Sequence, residues 1–187
     1  MRVTFRRLIG PEEMVPAMRA TTGSDMFDSK MPSLKTWHKM ILSQHSSHRA
    51  VLYRFCCEDV PYYVHTHFVR HNQGVQFHVK SQRTEQDRAN LPQGALINML
   101  FDANVQALLN MSKARLCYKA DDNAKSLMKK VKYALIFEGD EHDKVLGKLL
   151  MKPCQWYPGL CSEPKPCGRV VNVRSLFDIH KRALEEG

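Results

Sequence analysis

Apolar and polar residues alternate over positions 2–9, where Val3, Phe5 and Leu8 are the apolar members, and this pattern predicts a strand. Pro11-Glu12-Glu13 then suits the start of a short helix, with acidic residues in its first turn. Gly23 to Pro32 reads as a loop. Ser33 is a fitting helix cap, and after it Leu34, Trp37, Met40, Ile41 and Leu42 recur at helical spacing as a stripe suited to a core. Ala50 to Cys57 reads as a strand, Pro61 opens a helix to about Arg70, and Val75 to Val79 alternates as another strand after Gly74.

The texture changes after Gln93. Apolar residues at Leu96, Met99, Leu100, Val105, Leu108, Leu109 and Leu116 predict one long, mostly buried helix from Gly94 to Tyr118. Asp121 or Asp122 caps a further helix to about Phe137, and Asp143 to Met151 suits another, with Gly147 weakening its middle. Residues 152–170 hold four prolines, three cysteines and two glycines and read as irregular. Ser175 with Asp178 resembles a capping box that opens a last helix to Glu186. With no internal repeat and no linker, the pattern predicts a single domain over 1–187 of the α+β class, an antiparallel sheet packed with a long central helix and further helices.

Composition adds boundaries to this picture. The 187 residues are 43% hydrophobic and 25% charged, ordinary for a chain that buries a core. No apolar run approaches a membrane span, and Met1 to Gly10 lacks the apolar stretch of a signal peptide, so a cytoplasmic protein with no membrane partner is expected. The net charge of +9 calls for an anionic partner. Lys125, Lys129, Lys130 and Lys132 share one predicted helix and read as a solvated face. Arg70, Arg83, Arg88 and Arg115 instead lie among apolar and turn residues, where a guanidinium is costly unless something anionic meets it. The six cysteines read as reduced thiols, metal ligands or core residues.

Candidate chemistry concentrates between His45 and Arg83. Val64-His-Thr-His-Phe-Val-Arg70-His71-Asn72 sets imidazoles and guanidiniums beside a glycine-containing turn, and Ser81-Gln82-Arg83 offers a hydroxyl, an amide and a forked cation to a phosphate. The alternative reading of the same residues is a histidine-rich surface helix followed by a loop.

The order of these elements resembles the flavin-dependent thymidylate synthases, whose signature is Arg-His-Arg followed by Ser-x-Arg. Here the signature reads Arg70-His71-Asn72 and then Ser81-Gln82-Arg83. Upstream, His45 and Ser47 match a His-x-Thr/Ser element. Downstream, Arg88-Ala-Asn-Leu91-Pro92 matches Arg-x-x-Leu-Pro, and Asn104, Asn110 and Arg115 match two asparagines and an arginine on one helix. The resemblance covers roughly residues 44–118. It implies that His67, Arg70, Ser81, Gln82, Arg83 and Arg88 bind a pyrimidine nucleotide, mainly at its phosphate, and that Ser47, Arg70, His71, Asn72, Asn104 and Asn110 contact FAD. Arg115 would be catalytic, lying against the pyrimidine carbonyls and stabilising charge as the ring is activated. The implied reaction is methylation of dUMP at carbon 5 with methylenetetrahydrofolate and NADPH, in a homotetramer with shared active sites.

The sequence also departs from that pattern. Asn72 replaces the third signature residue, the spacing to Ser81 is one residue longer, Ala50 stands where an acidic residue is usual, and the Arg83 to Arg88 segment is very short. These changes leave two alternatives: a hydroxymethylating or other-pyrimidine relative, and an inactive homologue that binds nucleotide or nucleic acid. Cys154, Cys161 and Cys167, with Cys117 or a histidine, are candidate ligands of a structural zinc, set against buried or spare thiols.

Overall fold

The structure is a computed structural model, and it describes residues 1–23, 25–79, 90–170 and 174–176. Strand β1 (Arg2–Ile9) is followed by a 3-10 turn at Pro11–Glu13 and helices α1 (Met14–Ala20) and α2 (Leu34–Leu42). A second 3-10 turn at Ser46–Ala50 leads into β2 (Leu52–Pro61), α3 (Tyr62–Phe68) and β3 (Val75–Val79). Then come β4 (Leu96–Asn104), α4 (Val105–Arg115), α5 (Asp122–Glu138) and α6 (Glu141–Leu149). The short helix α7 (Pro153–Trp156) and the two-residue strands β5 (Leu160–Cys161) and β6 (Arg174–Ser175) complete the described chain. No described helix is long and apolar enough to cross a membrane.

The main sheet is antiparallel throughout, in the order β1-β2-β4-β3. Its pairing aligns Phe5, Phe55, Phe101 and Phe77 in one row across all four strands. Successive ring centroids lie 5.9, 5.1 and 5.6 Å apart. Each such cross-strand pair adds about 0.2–1 kcal/mol to the burial term, so this row pins the register. Helices α5 and α6 pack together, with α5 against β1, and supply Leu127, Met128, Val131, Leu135 and Leu146 to the same buried cluster.

The strand at 2–9, the Ser33 cap, the strand at 75–79 and the Asp121 cap stand where the pattern predicts them. The α+β class holds, with a correction to its central element: the helix expected over Gly94 to Tyr118 is a strand followed by a shorter helix. Ile97, Met99, Phe101 and Ala103 are buried at every second position, a period that only a strand satisfies. From Val105 the buried residues recur at helical spacing, and reading the two runs together produced a single helix.

Two smaller corrections concern the later helices. Helix α6 starts at Glu141 rather than Asp143, because Asp140 is its cap and Asp143 closes the capping box. Gly147 is required within it: a Cβ there would stand 2.7 Å from Ile136 and 3.1 Å from the Lys132 carbonyl, so glycine permits the close approach of α5 and α6. Ser175 ends a two-residue strand paired in parallel with β5 and donates to the Glu163 carbonyl at 2.7 Å, and Leu176 directly after it is helical, where the pattern places the start of the last helix. The remainder of the helix expected to reach Glu186 lies outside the described residues.

Candidate functional site

The site is built on the strand-to-helix junction at Asn104. The asparagine ends β4 and caps α4, its Oδ1 accepting from the Ala107 amide at 2.9 Å. It therefore stands at the start of the helix that Arg115 ends, rather than within it. Its own amide donates to the Gly74 carbonyl at 3.0 Å, which draws the loop after α3 onto the start of α4. Gly74 makes that approach possible, with φ of +71° and with the Asn104 side chain only 2.5 Å from where a Cβ would sit.

Three adjoining clefts follow α4 from this junction, and Asn110 lines all three. The first, about 400 Å³, holds Gln44, Arg49, Gln73, Gly74, Asn104 and Gln106. A second, about 220 Å³, holds Arg70, His71, Asn72, Gln73 and Ala107. The third, about 510 Å³, lies near the end of α4 between Lys113, Arg115, Lys119 and the Pro153–Glu163 segment. Thus Arg70, His71, Asn72, Asn104, Asn110 and Arg115, forecast from sequence as site residues, come together along one helix.

The charge balance of this region is lopsided. Arg115 gives one Nη2 hydrogen bond to the His67 carbonyl, while its Nε is buried without a partner. Its pKa is lowered first by burial and then by the nearby Arg70 cation. Among the described residues no carboxylate pairs with either arginine. Burial, reinforced by Arg115, pushes the His71 imidazole down to about 4, so it is neutral at physiological pH, and its Nε2 is also buried and unpartnered. Two neighbouring guanidiniums without a carboxylate partner and a neutral imidazole with spare capacity are chemically suited to an anion that also carries hydrogen-bonding groups.

The other forecast residues divide in three ways. His67 sits in the last turn of α3 and contributes its backbone carbonyl to orient Arg115. Ser47 is buried in the second 3-10 turn, its hydroxyl 2.9 Å from His45 Nδ1, and it does not line the clefts. Ser81, Gln82, Arg83 and Arg88 lie outside the described residues. Cys154, Cys161 and Cys167 line a separate cavity, and among the described residues no group of three His, Cys, Asp or Glu side chains is placed to hold a metal.

Gln44, Arg49, Gln106 and Lys113 were not singled out in the sequence. Gln106 donates to Asn110 at 3.1 Å and to Gln44 at 3.3 Å, and Lys113 donates to the same Gln44 oxygen at 3.3 Å. The Lys113 ammonium also stands 4.6 Å from the Trp156 ring centre. Gln106, Asn110 and Lys113 fall at three- and four-residue intervals, a polar face opposite the buried one, and that period was the only available signal.

No family model matches the sequence, and no curated protein matches it either. Solved structures do. The flavin-dependent thymidylate synthase ThyX of Helicobacter pylori, complexed with FAD and dUMP, aligns with 81% of this chain and 100% of its own, at 15% identity and a TM-score of 0.64. A second structure of that enzyme with FAD and dUMP gives 15% identity, 81% and 99% coverage and a TM-score of 0.65. The UMP/dUMP methylase PolB of Streptomyces cacaoi, bound to 5-Br dUMP, aligns over 81% of this chain and 97% of its own, at 12% identity and a TM-score of 0.60. The chain has a ThyX-like fold and is divergent in sequence from these neighbours.

Proposed function

We propose that the protein is a flavin-dependent enzyme that transfers one carbon to carbon 5 of a pyrimidine nucleotide, with conversion of dUMP to dTMP as the specific reaction. The observation that carries this reading is the Arg70–Arg115 pair, which has no carboxylate partner among the described residues, beside the neutral His71 with its Nε2 buried and unpartnered, in a fold whose solved neighbours hold dUMP or its bromo analogue. The clefts suit an elongated anionic ligand with polar edges, and both FAD and a nucleotide meet that description.

The Arg70, Arg83 and Arg88 cations, with the Ser81 hydroxyl and Gln82 amide, would receive the nucleotide phosphate. Arg115, held by the His67 carbonyl, would face the pyrimidine carbonyls and stabilise the negative charge that develops on the ring. His71, Asn72, Asn104 and Asn110 would hold the flavin, with Asn110 oriented by Gln106. FAD supplies the hydride when bound, with NADPH as its reductant and methylenetetrahydrofolate as the carbon donor. A single cytoplasmic domain assembled as a homotetramer with shared sites belongs to the same reading.

The test is the visible absorption spectrum of the purified protein with FAD added and dUMP titrated in. A bound flavin whose spectrum shifts with dUMP supports the proposal. A protein that stays colourless in excess FAD overturns it. Salt-sensitive binding of single-stranded nucleic acid by that colourless protein would then favour the inactive binding homologue.

A further inference from the structure

Four of the six cysteines, Cys117, Cys154, Cys161 and Cys167, line one cavity, although Cys117 follows α4 and the other three come from the segment after α6. All four are free thiols, and none is deeply buried. The cavity wall is apolar apart from Lys119, Lys152, Ser162 and Glu163, so little competes with the thiols for one another.

The segment that brings them there is weakly secured. No residue from Lys152 to Val170 is fully buried, and Trp156 alone among them packs partly against the core. Its ties to the connection after α4 are an exposed Lys119–Glu163 ion pair at 3.2 Å, a Lys119 bond to the Lys165 carbonyl, and the Lys152 and Arg169 cations over the Tyr118 ring at 3.9 and 4.9 Å. Contacts of this kind contribute little in water. A proline-rich segment with a single partly buried anchor gains order from a covalent tie when one is available.

We propose that this cavity is a site of reversible disulfide formation, in which Cys117 bonds to a cysteine of the 154–167 segment and fastens that segment to the end of α4. The oxidant is a small external disulfide. One protein sulfur attacks it, forming a mixed disulfide and releasing one external thiol. A second protein sulfur then displaces the other, so the protein loses two thiol hydrogens and two external thiols leave. Lys119, Pro153, Ser162 and Glu163 line both this cavity and the cationic cleft, so the bond would also fix one wall of that cleft. The inference concerns thiol chemistry and stands apart from the proposed enzymatic reaction.

Cys56 and Cys57 form an internal control. They are adjacent on β2 and point to opposite faces of the sheet, with Cys56 exposed and the Cys57 thiol pushed up to about 12 by burial. The experiment uses the full chain, reduced and then equilibrated with oxidised and reduced glutathione, alkylated, digested and mapped by mass spectrometry. The expected product joins Cys117 to Cys154, Cys161 or Cys167, leaves Cys57 free, and slows proteolysis within residues 152–170 by about tenfold. Cys117→Ser should abolish the bridge and the protection, whereas Cys56→Ser should keep both. Persistently free thiols at all four positions, glutathione adducts alone, or bridges that include Cys56 would overturn the proposal.

Discussion

Arg7 and Arg115 are both guanidiniums drawn into the body of the protein, yet their surroundings differ completely. Arg7 bonds Asp143 at 2.9 Å and Asp140 at 2.7 Å, and Asp143 also accepts from the buried Tyr53 hydroxyl at 2.8 Å. Every member has its partner, so this network joins β1 and β2 to the start of α6. Arg115 meets a backbone carbonyl, another arginine and a neutral histidine. Satisfied charge holds a fold together, whereas charge left unanswered in a cleft costs stability and marks a place where something binds.

The largest effect should come from breaking the satisfied network. Asp143→Ala leaves the buried Tyr53 hydroxyl without its acceptor, takes one of the two carboxylates from Arg7 and removes the capping box, and it should lower stability by about 2–4 kcal/mol in urea denaturation. A loss below about 1 kcal/mol would show that the network is not structural.

Arg115→Ala is the matching test of the unsatisfied cluster. It should weaken dUMP binding about 100-fold in titration calorimetry while changing unfolding stability by less than about 1 kcal/mol. The reverse outcome, with intact binding and lost stability, would place Arg115 among the structural charges.

A smaller effect separates the two regions by pH. The folded-state pKa of His71, about 4, lies below its unfolded value, so the unfolded chain takes up the proton first. His71 therefore contributes stability above pH 6.5 that is lost as pH falls toward 4, about 1–2 kcal/mol after allowance for solvent screening. Asp140, held at about 2 chiefly by its Arg7 bond, contributes stability above its ordinary 3.8 that is lost only as pH falls toward 2. His71→Gln should flatten the stability profile between pH 6.5 and 4 and leave the more acidic limb in place. An unchanged profile would mean that the imidazole is not held neutral.

The smallest change expected is from Lys113→Ala, which removes the cation over Trp156 and should cost about 0.5–1 kcal/mol by thermal unfolding. A much larger loss would show that the Lys113–Gln44 bond also holds the cleft wall.

Much of the fold was legible because local rules agree with the final packing in most elements. Ser33 and Asp121 cap their helices as their side chains favour, and β1 and β3 show plain alternation. The central segment misled because β4 and α4 are fused without a turn signal, with Asn104 as both the last strand residue and the helix cap. Around the candidate clefts, Arg70, His71, Asn72, Asn104, Asn110 and Arg115 are the residues that the order of the resembling motifs singles out. Gln44, Arg49, Gln106 and Lys113 were not singled out, since polar residues on an exposed helix face carry no mark of what they face.

The amino-acid order by itself determined the α+β class, most element starts and the cationic residues around an anionic partner, because periodicity, capping and charge are properties of neighbouring residues. Only the tertiary structure decided that Gly74 admits Asn104, that Arg70 lies near Arg115, and that Cys117 shares a cavity with three later cysteines. These relations join residues distant along the chain, and the sheet register and helix packing that bring them together are set by the whole core.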